Sequence, residues 1–196
     1  MNKSFWEDRY DAGSTGWDIG YASPPLSHYL DQIRNKNVSI LIPGAGYGHE
    51  VVFLNKQGFT NVTVIDIAEA PMRNLSKKLP EGHGFELITA DFFEHSGQYE
   101  LIVEQTFFCA LDPQMRLAYA EKMVDLLRPD GKLVGVLFDF QKTESGPPFG
   151  GSLAEYKNLF SKYFEIKTLE RCTNSIKPRQ GSELFFIFEK PQASKS

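Results

Sequence analysis

The 196-residue sequence is poor in the residues that build metal sites and disulfide frameworks. It has two cysteines, Cys109 and Cys172, which are far apart in the chain and in no metal-ligand spacing. The four histidines are scattered, and each is interpreted as a surface or capping residue. We therefore expect no bound metal, and this cysteine usage is typical of a reduced, cytoplasmic protein.

Excess positive charge and long apolar runs are also missing. Lysine and arginine number 21 against 25 acidic residues, a formal net charge of −4, and no basic cluster is dense enough to bind a phosphate backbone. The first residues carry charges where a signal peptide needs an apolar run. The longest apolar stretches, such as 133–138, are too short to cross a bilayer. We expect a small-molecule partner rather than nucleic acid or a membrane, and a monomer or weak dimer.

Strand-like and helix-like segments alternate through most of the chain. Strands are predicted at 38–42, 61–65, 85–88, 99–103 and 132–138, with helices at 47–57, 68–78 and 112–127. This alternation predicts right-handed crossovers and a parallel sheet covered on both faces.

The C-terminal part departs from that alternation. A helix at 152–163 is followed by two successive strands, 164–171 and 183–189, which we expect to pair antiparallel. A plain dinucleotide-binding fold would continue its βα units instead. We therefore predict an α/β Rossmann-like fold of the class I methyltransferase type, with a mainly parallel seven-stranded sheet and helices on both faces.

The residues before the first strand are predicted to form two short helices. One covers about 4–13 and carries Phe5, Trp6 and Tyr10; the other runs from Ser23 and Pro24 to about 34. The chain length fits one domain. We predict a helical lid over 1–36 on an α/β core of 37–191.

The strongest local signal is a glycine-rich loop that joins the first predicted strand to a helix. It contains Gly44, Gly46 and Gly48, and an acid, Asp66, ends the next strand. Glycines let the backbone turn sharply and approach a ligand closely. An acid at the second strand end can accept both hydroxyls of a ribose. The pattern therefore predicts a nucleoside-containing ligand.

The glycine spacing separates two classes of such ligand. The dinucleotide fingerprint needs its third glycine one position after Gly48, where this chain has His49. S-adenosylmethionine carries a sulfonium and an amino-acid end, and it needs no phosphate cradle. The acids Glu50, Asp91 and Glu104 suit such a cationic ligand. S-adenosylmethionine is thus the predicted cofactor, and a nicotinamide-dependent oxidoreductase is the disfavoured alternative.

The next two strand ends supply further candidate contacts. Asp91 and Phe92 follow the third strand, where an acid can accept the exocyclic amine of adenine while an apolar neighbour packs the ring. Glu104 and Gln105 end the fourth strand, at the edge where open α/β sheets bind ligands.

Several stretches in order resemble the thiopurine S-methyltransferase family, and most closely its plant halide/thiol methyltransferases. They are 6–10 (Trp-Glu-Asp-Arg-Tyr), 17–20 (Trp-Asp-Ile-Gly), 43–49 (Pro-Gly-Ala-Gly-Tyr-Gly-His), 107–110 (Phe-Phe-Cys-Ala), 112–116 (Asp-Pro-Gln-Met-Arg), 127–131 (Leu-Arg-Pro-Asp-Gly) and 146–149 (Gly-Pro-Pro-Phe). The first and last are specific to the family, whereas 127–131 occurs throughout class I methyltransferases.

The resemblance implies that Trp6, Tyr10 and Trp17 line the cofactor. Tyr10, Gln105 and Phe149 replace a tryptophan, an aromatic residue and a tyrosine of the plant members. The whole set of candidate cofactor contacts is Trp6, Tyr10, Trp17, Gly44, Gly46, Asp66, Ile67, Asp91, Phe92, Glu104 and Gln105.

The predicted reaction is methyl transfer to a small soft nucleophile: a thiol or thiopurine, hydrosulfide, thiocyanate or a halide. Such an acceptor needs alignment and desolvation rather than a base, and no nucleophile–base pair is apparent, so no catalytic residue is assigned. The candidate substrate contacts are Trp17, Phe107, Phe108, Asp139 and Phe149. The alternatives are a methyltransferase for a nitrogen or oxygen acceptor and a non-catalytic S-adenosylmethionine-binding module.

Overall fold

A single sheet of seven strands organises the computed structural model, which describes residues 2–141 and 145–192. The strands are β1 (Ile40–Pro43), β2 (Val62–Asp66), β3 (Glu86–Thr89), β4 (Tyr99–Gln105), β5 (Leu127–Phe138), β6 (Glu165–Arg171) and β7 (Glu183–Glu189). Their spatial order is β3-β2-β1-β4-β5-β7-β6. Strands β1 to β5 are parallel, and β7 lies antiparallel between β5 and β6. The predicted fold class, with its antiparallel C-terminal pair, is confirmed.

Among the described residues, six α-helices accompany the sheet. They are α1 (Lys3–Asp11), α2 (Pro24–Asp31), α3 (His49–Lys56), α4 (Glu69–Lys78), α5 (Arg116–Leu126) and α6 (Leu153–Phe160). One core packs α2, α3 and α4 on the sheet through residues such as Leu30, Leu54 and Leu75. The other packs α5 and α6 through Tyr119 and Phe160. Strands β1 and β2 are buried along their whole length because helices cover both of their faces.

The predicted bounds differ from the structure mainly around α5. Asp112 does cap a helical turn, since its Oδ1 accepts a hydrogen bond from the Gln114 N–H at 2.9 Å. That turn is a separate 3₁₀ turn at Pro113–Met115, and α5 begins at Arg116. Strand β5 begins at Leu127, five residues earlier than predicted, and Asp130 within it has a φ of 63°.

The N-terminal segment lies against α4. Helix α1 has no buried residue. Its Lys3 forms a 2.6 Å ion pair with Glu69, and the Glu7 carboxylate accepts the Glu69 N–H at 2.6 Å. The lid function of 1–36 stays a prediction. Within the described part of the chain, no helix is long and apolar enough to cross a membrane.

Candidate functional site

A cavity opens at the carboxyl edge of the parallel strands. It has a volume of about 580 Å³ and is lined by the ends of β1, β2 and β4, the loops that follow them, and the N-terminal segment. In open α/β sheets the ligand crevice lies at this edge, where the strand order reverses. Here that reversal lies between β1 and β4.

The glycine loop forms the floor of this cavity. Gly44, Gly46 and Gly48 all have positive φ values, of 63°, 54° and 70°, which side-chain-bearing residues rarely adopt. A Cβ at Gly44 would collide with the ring of Phe107. The loop after β1 and the loop after β4 are therefore in direct contact.

Asp66 ends β2 next to the glycine loop. Its Oδ2 accepts the Gly46 N–H at 3.3 Å, and its Oδ1 accepts the Ala68 N–H at 2.9 Å. Burial raises the pKa of this carboxyl to about 6, although both hydrogen bonds lower it. Its neighbour Ile67 also lines the cavity.

Three aromatic side chains of the N-terminal segment lie over the loop. Trp17 contacts both Trp6 and Tyr10 edge-on, with ring centroids 5.7 Å apart in each pair. The indole nitrogen of Trp17 would lie 3.6 Å from a Cβ at Gly46. Burial, and then the nearby Asp66 carboxylate, raise the pKa of the Tyr10 phenol. The structure thus brings Trp6, Tyr10 and Trp17 to the cavity wall.

Two acids connect the segment after α1 to α3. The His49 Nε2 lies 2.7 Å from Asp18 Oδ1. The buried Glu50 accepts the Ser23 N–H at 2.9 Å, and burial raises the pKa of its carboxyl. His49 and Glu50 therefore tie the glycine-loop helix to the N-terminal segment.

The ends of β3 and β4 complete the wall. Asp91 accepts the Phe93 N–H at 2.8 Å and caps the 3₁₀ turn Phe92–Glu94. The Phe92 ring packs 5.1 Å from that of Phe107. The Gln105 Oε1 is buried and has no hydrogen-bond partner among the described residues, although Gln105 lines the cavity. Buried polar atoms usually have a hydrogen-bond partner, and a ligand could supply the donor for this carbonyl oxygen.

Two of the predicted contacts lie behind the wall. The Glu104 carboxylate is fully buried and accepts hydrogen bonds from the Phe107 N–H, the Phe108 N–H and the Tyr119 hydroxyl. The Phe108 ring packs 4.9 Å from Tyr119 in the core and lies under the Arg116 guanidinium. Neither side chain is among those that line the cavity; a cofactor contact of Glu104 and a substrate contact of Phe108 stay predictions.

Two further substrate candidates are also placed elsewhere. Asp139 forms a 2.7 Å ion pair with Arg171 and does not line the cavity. Phe149 is buried next to Gly146, and its N–H donates to the Cys109 carbonyl at 2.7 Å. Its neighbours Pro147 and Pro148 reach the cavity instead. At this position the cavity is therefore lined by two proline rings and not by the Phe149 ring.

The cavity beside β5 and β7 is lined by residues that were not predicted as site residues from the sequence. They are mostly apolar, with one cation: Cys109, Met115, Phe138, Phe140, Pro147, Pro148 and Arg179. The Arg179 side chain is only 11% exposed, and its Nη2 donates to the Trp17 carbonyl at 2.8 Å. Its Nη1 lies 3.4 Å from the buried Glu183, and its guanidinium lies 5.5 Å from the Phe138 ring centre. No local motif marks Arg179, which stands in a polar loop between the last two strands.

Comparison with known sequences gives one family and consistent relatives. The family model "Thiopurine S-methyltransferase" matches residues 1–195. The chain is 33% identical to the "Probable thiol methyltransferase 2" of Arabidopsis thaliana over 184 residues, which cover 91% of this chain and 81% of that protein. It is 31% identical to "Thiocyanate methyltransferase 1" of Brassica oleracea over 185 residues, with the same coverage of 91% and 81%.

Solved structures agree on the fold. A Burkholderia thailandensis 1,6-didemethyltoxoflavin-N1-methyltransferase, solved with S-adenosylhomocysteine bound, has a TM-score of 0.78 at 20% identity, over 97% of this chain and 87% of that one. A magnesium protoporphyrin IX methyltransferase from Synechocystis, solved with S-adenosylmethionine, has a TM-score of 0.74 at 14% identity, over 97% of both chains.

Proposed function

The chain belongs to the thiopurine S-methyltransferase family and is an S-adenosylmethionine-dependent methyltransferase, and we propose that its methyl acceptor is a small soft nucleophile, such as a thiol, hydrosulfide, thiocyanate or a heavy halide. One observation carries this proposal: the part of the cavity beside β5 combines apolar and aromatic walls with a nearly buried guanidinium, that of Arg179. Such a surface favours an anion that loses little on leaving water.

The cavity residues fit the cofactor. The adenosine part would lie toward β2 and β3, where Asp66 can accept from the ribose hydroxyls and Asp91 from the adenine amine. The orphaned Gln105 Oε1 at the end of β4 would then accept from the ammonium of the amino-acid part. Gly46 lines the cavity without a side chain that would keep a ligand from its backbone, whereas at Gly44 the Phe107 ring takes that space. When bound, S-adenosylmethionine supplies an electrophilic methyl group on a sulfonium.

The aromatic residues of the N-terminal segment have two proposed roles. Trp6, Tyr10 and Trp17 cover the glycine loop, so they would exclude water from the cofactor. Aromatic faces also attract cations, and a sulfonium is one. We therefore propose that 1–36 acts as a lid on the core formed by 37–191.

The acceptor would be bound and oriented by the residues beside β5 and β7. Met115, Phe138 and Phe140 remove water from around it, and Arg179 attracts its negative charge. Two of the five N–H donors of Arg179 serve the Trp17 carbonyl and Glu183, which leaves others for a ligand. A soft anion arrives already deprotonated, so the side chains need only align and desolvate it.

The names of two relatives support a sulfur acceptor. The Arabidopsis relative is named for thiols and the Brassica relative for thiocyanate. Thiols and thiocyanate are both sulfur nucleophiles. Sulfur acceptors are accordingly proposed ahead of halides for this chain.

The proposed setting follows the same chemistry. We propose a small-molecule enzyme of the cytoplasm, monomeric or weakly dimeric, that does not bind nucleic acid. The net charge of −4 and two free thiols, Cys109 and Cys172, support this setting.

A panel of nucleophiles tests the function. The purified protein is incubated with S-adenosylmethionine and either benzenethiol, hydrosulfide, thiocyanate, iodide, phenol or aniline, and released S-adenosylhomocysteine is measured. We expect turnover with the sulfur nucleophiles at least tenfold above that with phenol and aniline. Faster methylation of phenol or aniline would overturn the proposed acceptor class.

A further inference from the structure

A fully buried carboxylate, that of Glu104, lies directly beneath the cavity, and the proposed reaction does not use it. Its Oε1 accepts the Phe107 N–H at 2.9 Å and the Phe108 N–H at 3.1 Å, and its Oε2 accepts the Tyr119 hydroxyl at 2.7 Å. The paired position on β5 is Gly135, where a Cβ would meet the Glu104 side chain. The neighbouring strand thus leaves room for a charged group that is costly to bury.

The turn above this carboxylate is strained. Thr106 has a φ of 58°, in the left-handed region, which is a genuine outlier for a β-branched residue. Its hydroxyl donates to the Gln105 carbonyl at 2.7 Å, and its own carbonyl accepts the Cys109 thiol at 3.3 Å. Strained backbone of this kind persists only where surrounding contacts hold it.

The strained turn sets two parts of the cavity wall. On its N-terminal side is Gln105, whose buried Oε1 has no partner among the described residues. On its C-terminal side is Phe107, whose ring fills the space above Gly44 and packs against Phe92. A relaxed Thr106 would rotate the peptide groups on both sides and move both side chains.

We propose that Glu104 is a positioning residue for the cofactor: by binding the Phe107 and Phe108 N–H groups it holds Thr106 in its left-handed conformation, and so keeps the Gln105 amide and the Phe107 ring in place for the ligand. This rests on the proposed cofactor site. An apolar side chain could fill the same volume, but it would leave two buried N–H groups without acceptors. The carboxylate is therefore needed for its acceptor oxygens and not for its bulk.

Binding of S-adenosylhomocysteine, measured by calorimetry alongside thermal unfolding, tests this without turnover. Glu104→Gln places an amide that keeps only one good acceptor oxygen, and we expect its Kd to rise at least tenfold. Tyr119→Phe removes one hydrogen bond from the carboxylate and should raise the Kd about threefold. Tyr156→Phe is the matched control, because it also removes a buried tyrosine hydroxyl, which donates to the Phe138 carbonyl and not to Glu104.

Thr106→Gly separates positioning from stability. Glycine adopts this φ without strain and Glu104 still binds the two N–H groups, so the unfolding midpoint should stay the same or rise and the Kd should change less than threefold. A merely structural role predicts that stability and affinity change together. Tyr119→Phe keeps the test decisive if Glu104→Gln does not fold.

The pH dependence of binding gives a second signature. Burial raises the pKa of Glu104 to about 7, and the hydrogen bond from Tyr119 lowers it. The titratable groups that face the carboxylate are the Tyr119 hydroxyl of α5 and the Cys109 thiol. On β5 the residue paired with Glu104 is Gly135, which does not titrate. Asp66, which lines the cavity, has a pKa of about 6, so its protonation also affects binding in this pH range. Tyr119→Phe is therefore compared with wild type, because both contain Asp66. Loss of the Tyr119 hydrogen bond removes an interaction that lowers the pKa of Glu104. As the pH is lowered, the affinity of Tyr119→Phe should therefore begin to fall at a higher pH than that of wild type.

Failure of this inference differs from failure of the proposed function. If wild type does not bind S-adenosylhomocysteine, the cofactor site itself is wrong. If wild type binds and the Glu104 and Tyr119 variants keep its Kd and pH profile, Glu104 has no positioning role. Equal losses in Tyr119→Phe and Tyr156→Phe would overturn the inference as well.

Discussion

The Trp17 carbonyl accepts a 2.8 Å hydrogen bond from the Arg179 guanidinium, which joins residues 162 positions apart. One partner lies in the N-terminal segment and the other in the loop before β7. Arg179 also lines the end of the cavity that is proposed to bind the acceptor. The residue proposed to attract the acceptor is therefore in contact with the segment proposed to close over the cofactor.

Replacing Arg179 should affect the acceptor more than the cofactor. Charge-assisted hydrogen bonds contribute about 1.5–3 kcal/mol, so Arg179→Gln should raise the KM for thiocyanate about tenfold or more. The Kd for S-adenosylhomocysteine should change less than threefold. Arg171→Gln is the control, since Arg171 pairs with Asp139 away from the cavity. An unchanged KM in Arg179→Gln, or an equal increase in both variants, would show that Arg179 does not bind the acceptor.

Asp66 should be essential for the cofactor. Loss of a carboxylate that accepts ribose hydroxyls removes charge-assisted hydrogen bonds of about 1.5–3 kcal/mol. Asp66→Ala should therefore weaken binding of S-adenosylmethionine about tenfold or more while the domain stays folded. Calorimetry measures this, and an unchanged affinity would contradict the assignment.

The same carboxylate should make the free protein less stable as pH rises. Its folded pKa, about 6, lies above its ordinary value of 3.8, so the folded state holds the proton more tightly than the unfolded state does. Its contribution is fully present below the ordinary pKa and is lost as pH rises through the folded one. The stability of Asp66→Asn relative to wild type should therefore increase between pH 4 and pH 7. Denaturant titrations at several pH values measure it, and a pH-independent difference would contradict the raised pKa.

The N-terminal segment should be needed for turnover but not for folding. Helix α1 contributes no buried residue, and its aromatic side chains cover the cavity rather than the core. Deleting residues up to Gly20 should abolish activity and leave a cooperatively unfolding domain. Activity assays and thermal unfolding decide between the outcomes, and full activity of the shortened chain would refute the lid.

Weakly hydrated nucleophiles should be preferred. We expect turnover in the order hydrosulfide, thiocyanate or aromatic thiol, then iodide, then chloride, because the apolar wall offers chloride little in exchange for its water. Competition at equal concentrations measures the order, and a preference for chloride would contradict it.

A matched pair of substitutions locates that wall. Phe138→Tyr adds a hydroxyl at a residue that lines the cavity, and it should narrow the gap between iodide and chloride. Phe149→Tyr adds the same hydroxyl behind the wall and should leave the ratio unchanged. The opposite pattern would place Phe149, and not Phe138, against the acceptor.

The sequence by itself determined the sheet and the residues of the proposed cofactor end of the cavity. Both depend on short-range rules: strands alternate with helices, glycines permit the positive φ values of the loop after β1, and an acid ends the following strand. The carboxyl ends of parallel strands meet at one edge, so Gly44, Asp66, Asp91 and Gln105 could be placed together without knowing a single contact.

Only the tertiary structure decided which residues line the proposed acceptor end of the cavity. Phe107 and Phe138 line the cavity, whereas Phe108 and Phe149 are buried behind it. The sequence does not distinguish these two positions, because a buried core and an aromatic cavity wall require the same apolar residue types. The same limit applies to acids, since Glu104 at a strand end binds backbone N–H groups within the protein while its neighbour Gln105 lines the cavity. Arg179 reaches the site only because β7 runs antiparallel to β5, which brings the loop before β7 next to the carboxyl end of β5. That approach depends on long-range strand pairing, which no local pattern near Arg179 encodes.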